Sequence, residues 1–264
     1  MNAQISSLSV IFMVISCSIA TVVPFLLLVY FRVRKKADIL PFFVGCLIMF
    51  VFALVLESVM HQAVLSSPAG ALIQGNTLLY AVYGGLAAGL FEETGRLFAF
   101  KTFLRKRMDK DANALMYGAG HGGIEAILIV GLTYIGNIVI SMLINAGQTD
   151  MLIATATGEV AEQMQAVFDS LIATAPWTYL LAIVERLVAI TTHVCLSVLV
   201  WFAVKKPGKG WLFPLAILLH AALDGILVIL AAHLPAAAVE GCLVVMTLGL
   251  VFLTRALWKK NAEI

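Results

Sequence analysis

The chain has 264 residues, 62% hydrophobic and only 12% charged, with 17 Lys and Arg against 15 Asp and Glu for a net charge of +2. So little polar surface cannot clothe a water-soluble globule, and the near-neutral balance offers no footing for nucleic acid; both classes are excluded in favour of a chain built for lipid. A bilayer core about 30 Å thick takes about 20 apolar residues per helix, which leaves room for six or seven spans and no sizeable soluble domain.

Apolar runs fall at 8–31, 39–62, 77–100, 113–143, 177–204, 211–233 and 236–257. They predict an all-α polytopic membrane protein of seven transmembrane helices forming a single transmembrane domain over 1–264. No Lys or Arg precedes the first run and its residues before Cys17 make a poor lipoprotein box, so it is expected to be an uncleaved span. Cys17, Cys46, Cys195 and Cys242 all lie inside apolar runs, as small hydrophobic residues rather than disulfide or metal partners. Basic residues cluster at Arg32, Arg34, Lys35 and Lys36, then at Lys101, Arg105, Lys106, Arg107 and Lys110, at Lys205, Lys206 and Lys209, and at Arg255, Lys259 and Lys260. The loops at 63–76, 144–176 and 234–235 carry none. The positive-inside rule therefore predicts an outer amino terminus and a cytoplasmic carboxyl terminus, as in a bacterial inner membrane. The long outer loop, 144–176, carries Asp150, Glu159, Glu162 and Asp169, and its Val160, Met164, Val167 and Leu171 recur at helical spacing. An amphipathic helix on the outer interface is expected there.

Ionisable side chains inside the hydrocarbon cost roughly 3 kcal/mol each, so those that persist need a reason. The third span holds Glu92, Glu93 and Arg96, the fourth His121 and Glu125, the fifth Glu185, Arg186 and His193, and the sixth His220 and Asp224. At about 1.5 Å per residue, Glu92 lies about 14 Å from Lys101, His121 about 17 Å from Lys110, His193 about 18 Å from Lys205 and His220 about 17 Å from Lys209. Polar groups on four consecutive helices thus share one level near mid-membrane. Glu92 with Arg96, His121 with Glu125, and His220 with Asp224 are each four apart and share a helix face, so each acid can orient its neighbour. Gly89, Gly95, Gly118, Gly120, Gly122 and Gly123 flank the level and allow close helix approach or local unwinding. One carboxylate with several imidazoles suits the activation of water against a peptide bond in the bilayer. Glu92 would take the proton, while histidines stabilise the oxyanion or hold a metal; His121, His193, His220 and Glu92 form an acceptable Zn²⁺ set, and a metal-free site is equally open.

Phe91-Glu92-Glu93-Thr94-Gly95-Arg96, Gly120-His121-Gly122-Gly123-Ile124-Glu125, His193 and His220-Ala221-Ala222-Leu223-Asp224 resemble the YhfC family of intramembrane proteases. That family is similar to the glutamic CAAX prenyl proteases, the bacteriocin-processing CPBP proteins, PrsW and the gamma-secretase scaffold subunit. The likeness spans 77–233, a four-helix catalytic core. It implies Glu92 as general base with Glu93 beside it, His121 as its partner on the water, His220 with Asp224 on the oxyanion side, and a membrane-embedded peptide or protein as substrate. The chain departs from the CAAX pattern in placing Arg96 one residue sooner after the glutamates, in having Tyr117 where Phe stands four before the first His, and in adding His193. These departures favour the YhfC-like assignment over prenyl-protein substrates.

A buried structural network is the alternative for Glu92, His121, His193 and His220, and a neutralising ion pair for Glu93 with Arg96. Glu125 and Asp224 are expected in support. Glu185 and Arg186, Glu57 with His61, and His233 are expected as interfacial groups nearer the outer surface. A proton-coupled transporter and a non-catalytic membrane scaffold remain as rival classes, although no paired inverted repeats are visible.

Overall fold

A computed structural model describes residues 4–149, 153–154 and 156–263; Asp150 of the outer loop lies outside them. The described residues form helices without strands: α1 Ser7–Arg34, α2 Leu40–Leu65, α3 Pro68–Gln74, α4 Thr77–Lys101, α5 Ala112–Asn145, α6 Glu159–Ala173, α7 Thr178–Lys205, α8 Leu212–Ala231 and α9 Ala236–Asn261. Six of them, α1, α2, α5, α7, α8 and α9, are long and apolar enough to cross a membrane. The third predicted span, α4, is 25 residues long and carries its charges on the inner side, with Glu92, Glu93 and Arg96 all buried. It packs along α8 through small residues: a Cβ on Gly85 would stand 2.3 Å from the Ala221 carbonyl oxygen, and one on Gly89 2.7 Å from that of Ile217.

Central to the bundle, α7 packs against α1, α4, α5, α8 and α9. Its approach to α5 depends on missing side chains, since a Cβ on Gly118 would lie 2.5 Å from Val194 Cα and one on Gly122 2.9 Å from Ile190 Cα. On the opposite face of α5, Gly120 leaves room for the Phe42 carbonyl of α2, and on α2 Gly45 leaves room for that of Tyr117. The glycines thus act through close approach rather than unwinding, because α5 is regular α-helix through Ala126. Its ladder widens to π geometry only at Ile127–Leu132, as that of α2 does at Phe50–Glu57.

The basic segments meet at one end of the bundle. α1 stops at a left-handed Lys36 (φ 59°), whose neighbour Ala37 donates its N–H back to the Phe31 carbonyl at 3.1 Å. That turn delivers Asp38 to Lys110 (2.7 Å) and Arg107 (3.1 Å), and the hydrogen bond from Lys110 holds its carboxyl below the usual range. Buried Asp111 accepts from Trp201 Nε1 (2.8 Å), Lys205 Nζ (2.7 Å) and the backbone N–H of Glu263 (2.8 Å), fastening α5, α7 and the carboxyl-terminal segment together.

At the other end, the expected amphipathic helix is present as α6, and half of the predicted stripe, Met164 and Leu171, faces the bundle. Phe168 and Leu171 pack with Met13, Ile144 and Tyr179, whereas Val160 and Val167 are exposed. The loop expected at 63–76 contains the short α3, whose Pro68 opens its first turn.

Candidate active site

Half-way along the bundle, α4, α5, α7 and α8 turn their polar residues toward one another. His121 Nε2 and Glu92 Oε2 share a 2.9 Å hydrogen bond; His193 Nδ1 stands 3.6 Å from the same oxygen, and His220 Nε2 lies 3.9 Å from Glu92 Oε1. The rings follow in sequence, with His121 and His193 centroids 4.9 Å apart and His193 and His220 5.5 Å apart. Glu92, His121 and His193 each offer a ligand atom within 4.8 Å of the other two, and all three residues are buried. Neighbours at i and i+1 point about 100° apart on a helix, and so Glu93 leaves this group. Its Oε1 receives Arg96 and stands 2.8 Å from His220 Nδ1.

Every candidate from the sequence therefore lies in one connected cluster, but several partners differ from the i, i+4 expectation. Arg96 shares a face with Glu92 but pairs with Glu93, the ion pair three apart that the sequence also offered, and its other terminal nitrogen donates to His193 Nδ1 at 3.2 Å. Glu125 reaches across to α7, where its Oε2 lies 2.6 Å from His193 Nε2, and does not touch His121 on its own helix. Sharing a face brings two side chains to the same side; the ring that is met depends on the facing helix. Asp224 does stay near its partner, 3.5 Å from His220 Nε2, with 41% of its side chain exposed.

Arg186, expected at the interface, instead points inward: it is buried and donates to Glu125 Oε1 (2.9 Å) and to Glu185 Oε1 (2.6 Å). The missed signal was its spacing, since Arg186 and His193 are seven apart and occupy the same face of α7. Glu57 and His61 pair as expected at 3.1 Å, joined by Tyr83 Oη 2.8 Å from His61 Nδ1, and His233 is exposed beyond α8.

Toward the basic end the cluster is sealed. Tyr117, Phe100, Trp201, Leu196 and Leu199 are fully buried one or two turns below it, with Phe100 edge-on to both Tyr117 and Trp201. Away from the basic end a cavity of about 170 Å³ opens from Glu92, His193 and His220 past Glu125 and Thr192 to Glu185, Arg186 and Asp224. At roughly 30 Å³ per water it has room for about five. Several polar atoms around the cluster have no protein partner, among them His121 Nδ1, Glu93 Oε2 and Tyr117 Oη.

The donor chemistry fits a metal ion. A carboxylate and two imidazoles, with a third imidazole close by, are ligands that Zn²⁺ accepts, and Glu125 behind His193 is the kind of outer carboxylate that fixes a ligating ring. One feature competes: the His193 Nδ1 lone pair already receives an N–H from Arg96.

Comparison with known proteins agrees in kind. The sequence model of the YhfC intramembrane metalloproteases matches residues 19–245. The uncharacterized membrane protein YhfC of Bacillus subtilis (strain 168) is 38% identical over 219 residues, covering 83% of each chain. No solved structure matches significantly.

Proposed function

Because the chain belongs to the YhfC intramembrane metalloprotease family and is a multi-pass membrane protein, we propose that it is an intramembrane endopeptidase acting on a membrane-embedded protein or peptide. In this reading α4 is a seventh span, the basic loops are cytoplasmic and residues 77–233 form the catalytic core. One observation carries it: Glu92, His121 and His193 converge, and Glu92 and His193, with His220, line the inner end of a polar cavity among apolar helices.

Glu92 is the general base. Its Oε2 is held by His121 Nε2, which leaves Oε1 directed toward His220 to receive a proton from water in the cavity. The water oxygen adds to the scissile carbonyl carbon, the carbonyl π electrons move to oxygen, and the resulting anion is met by a histidine N–H. His220 gives its Nδ1–H to Glu93, which Arg96 fixes in turn, and so it meets the anion from Nε2 as the imidazolium. The proton taken by Glu92 then passes to the leaving nitrogen as the C–N bond breaks, giving a carboxylic acid and an amine. The aromatic seal beneath the cluster confines water to the side facing Glu185 and Asp224.

Glu92, His121 and His193, with His220 beside them, would hold a metal such as Zn²⁺, which supplies Lewis acidity to the water and the carbonyl. A metal-free glutamic mechanism is the second reading, and the Arg96 hydrogen bond to His193 Nδ1 favours it. Elemental analysis of freshly purified protein separates the two: about one zinc per chain supports the metal reading, and none supports the other.

The activity is tested with purified protein in bilayers and a labelled transmembrane peptide. Glu92→Gln is expected to lower kcat at least 100-fold, as is His121→Ala, with the thermal unfolding midpoint retained. Undiminished cleavage by Glu92→Gln overturns the mechanism. Solute uptake by liposomes without cleavage would identify a transporter, and a partner co-purifying with a protein that neither cleaves nor transports would identify a scaffold.

A further inference from the structure

A second concavity lies apart from the polar cavity. It is a groove of about 390 Å³ with α7 as its floor (Ile190, Val194, Val198) and with α1 and α9 as its walls, contributing Leu27 and Phe31 on one side and Val251 and Trp258 on the other. The groove begins at the basic end, where Lys35 and Arg255 line its mouth, and runs about 12 Å along α1 from Lys35 to Leu27, toward the middle of the membrane. Among the described residues no carboxylate lines it, and neither cation is engaged in an ion pair. One buried hydroxyl lies in its wall: Thr254 is only 8% exposed, and its Oγ1 stands beside the Cys195 thiol.

An apolar trough in a lipid-facing surface, with two unpaired cations at the headgroup level and a hydroxyl just inside, matches the chemistry of one ligand. We infer that this groove is a binding site for an anionic phospholipid, its phosphate between Lys35 and Arg255 and one acyl chain lying along α7. Charge selects the headgroup, because each Lys or Arg at the surface attracts anionic lipid and a zwitterionic headgroup gains little from the pair. Thr254 supplies a donor at the depth of the phosphate and ester oxygens. The chain would lie along α7 near Ile190 and Val194, the residues against which Gly122 and Gly118 pack. The site does not depend on the protease reading.

The test uses the full chain in detergent, with phosphatidylglycerol and phosphatidylcholine of identical acyl chains as probes, scored by lipid retention in native mass spectrometry and by the shift in unfolding midpoint. Phosphatidylglycerol is expected to be retained in preference and to raise the midpoint further. Lys35→Gln with Arg255→Gln is expected to weaken its binding roughly 30-fold, to the level of phosphatidylcholine. Lys101→Gln with Arg105→Gln, equal in charge change but outside the groove, is expected to leave the preference intact, and Val251→Trp, which fills the groove without altering charge, to displace both lipids. Equal retention of the two lipids by the unaltered protein overturns the site. So does loss of preference in the Lys101 and Arg105 variant, which would mean attraction by the basic surface at large, or appearance of a dimer that Val251→Trp dissolves.

Discussion

His193 is the residue on which most of the cluster converges: Arg96 at Nδ1, Glu125 at Nε2, and the rings of His121 and His220 on either side. Its Nδ1 accepts from a guanidinium, so the ring hydrogen belongs on Nε2, facing Glu125, which Arg186 steadies from behind. Arg186 is accordingly a positioning residue that acts through Glu125. Arg186→Gln is expected to weaken Zn²⁺ binding 10- to 100-fold in competition titrations against a chelator, with the apo protein's unfolding midpoint little changed. Unaltered affinity would show that Glu125 needs no anchor. The residues of this cluster were legible in the sequence because charge in an apolar run is conspicuous and helical rise converts sequence number into depth. Their pairings were not, because depth and face leave open which neighbouring helix is met: Glu125 looked like the partner of His121 and belongs to His193, and Arg186 looked interfacial and points inward.

Elements show the same division. Length and hydropathy predicted the long helices, whereas the π segments at Phe50–Glu57 and Ile127–Leu132 have no signature in an unbroken apolar run. The glycines around His121 announced close packing, and the structure assigns a neighbour to each. Gly120→Ala would place a methyl 1.9 Å from the Phe42 carbonyl oxygen, with backbone on both sides and nothing flexible to yield. It is expected to destabilise by about 3 kcal/mol, measured by thermal unfolding in detergent. On the same helix, Gly136→Ala meets no atom within 4 Å and should be neutral or mildly stabilising. The left-handed Lys36 is the reverse case, a side chain where glycine is at ease. Lys36→Gly is expected to raise stability by about 1 kcal/mol in the same measurement, provided that the turn to Asp38 persists.

For the molecule as a whole, the two ends are built differently. The basic end is cross-linked by buried Asp111, which binds α5, α7 and the carboxyl-terminal segment at once; Asp111→Ala strands Trp201 Nε1 and loosens Lys205, which among the described residues retains Glu263 at 3.3 Å. A loss of about 3 kcal/mol is expected, read as a lower unfolding midpoint and faster proteolysis of the carboxyl-terminal residues. At the other end, which carries the cavity mouth, neutral Asn145 joins α5 to the segment before α1, accepting from Ile5 N–H at 2.8 Å and donating to its carbonyl at 2.9 Å. The burial of three charged side chains by α4 has a consequence for biogenesis. At roughly 3 kcal/mol for each charge at the helix centre, such a segment gains nothing by leaving the translocon alone, and its small-residue face awaits α8, synthesised more than 100 residues later. If α4 is the seventh span proposed above, its stable integration waits for α8, and a ribosome-stalled chain ending before α8 should leave α4 extractable by alkaline carbonate while α1 and α2 stay embedded.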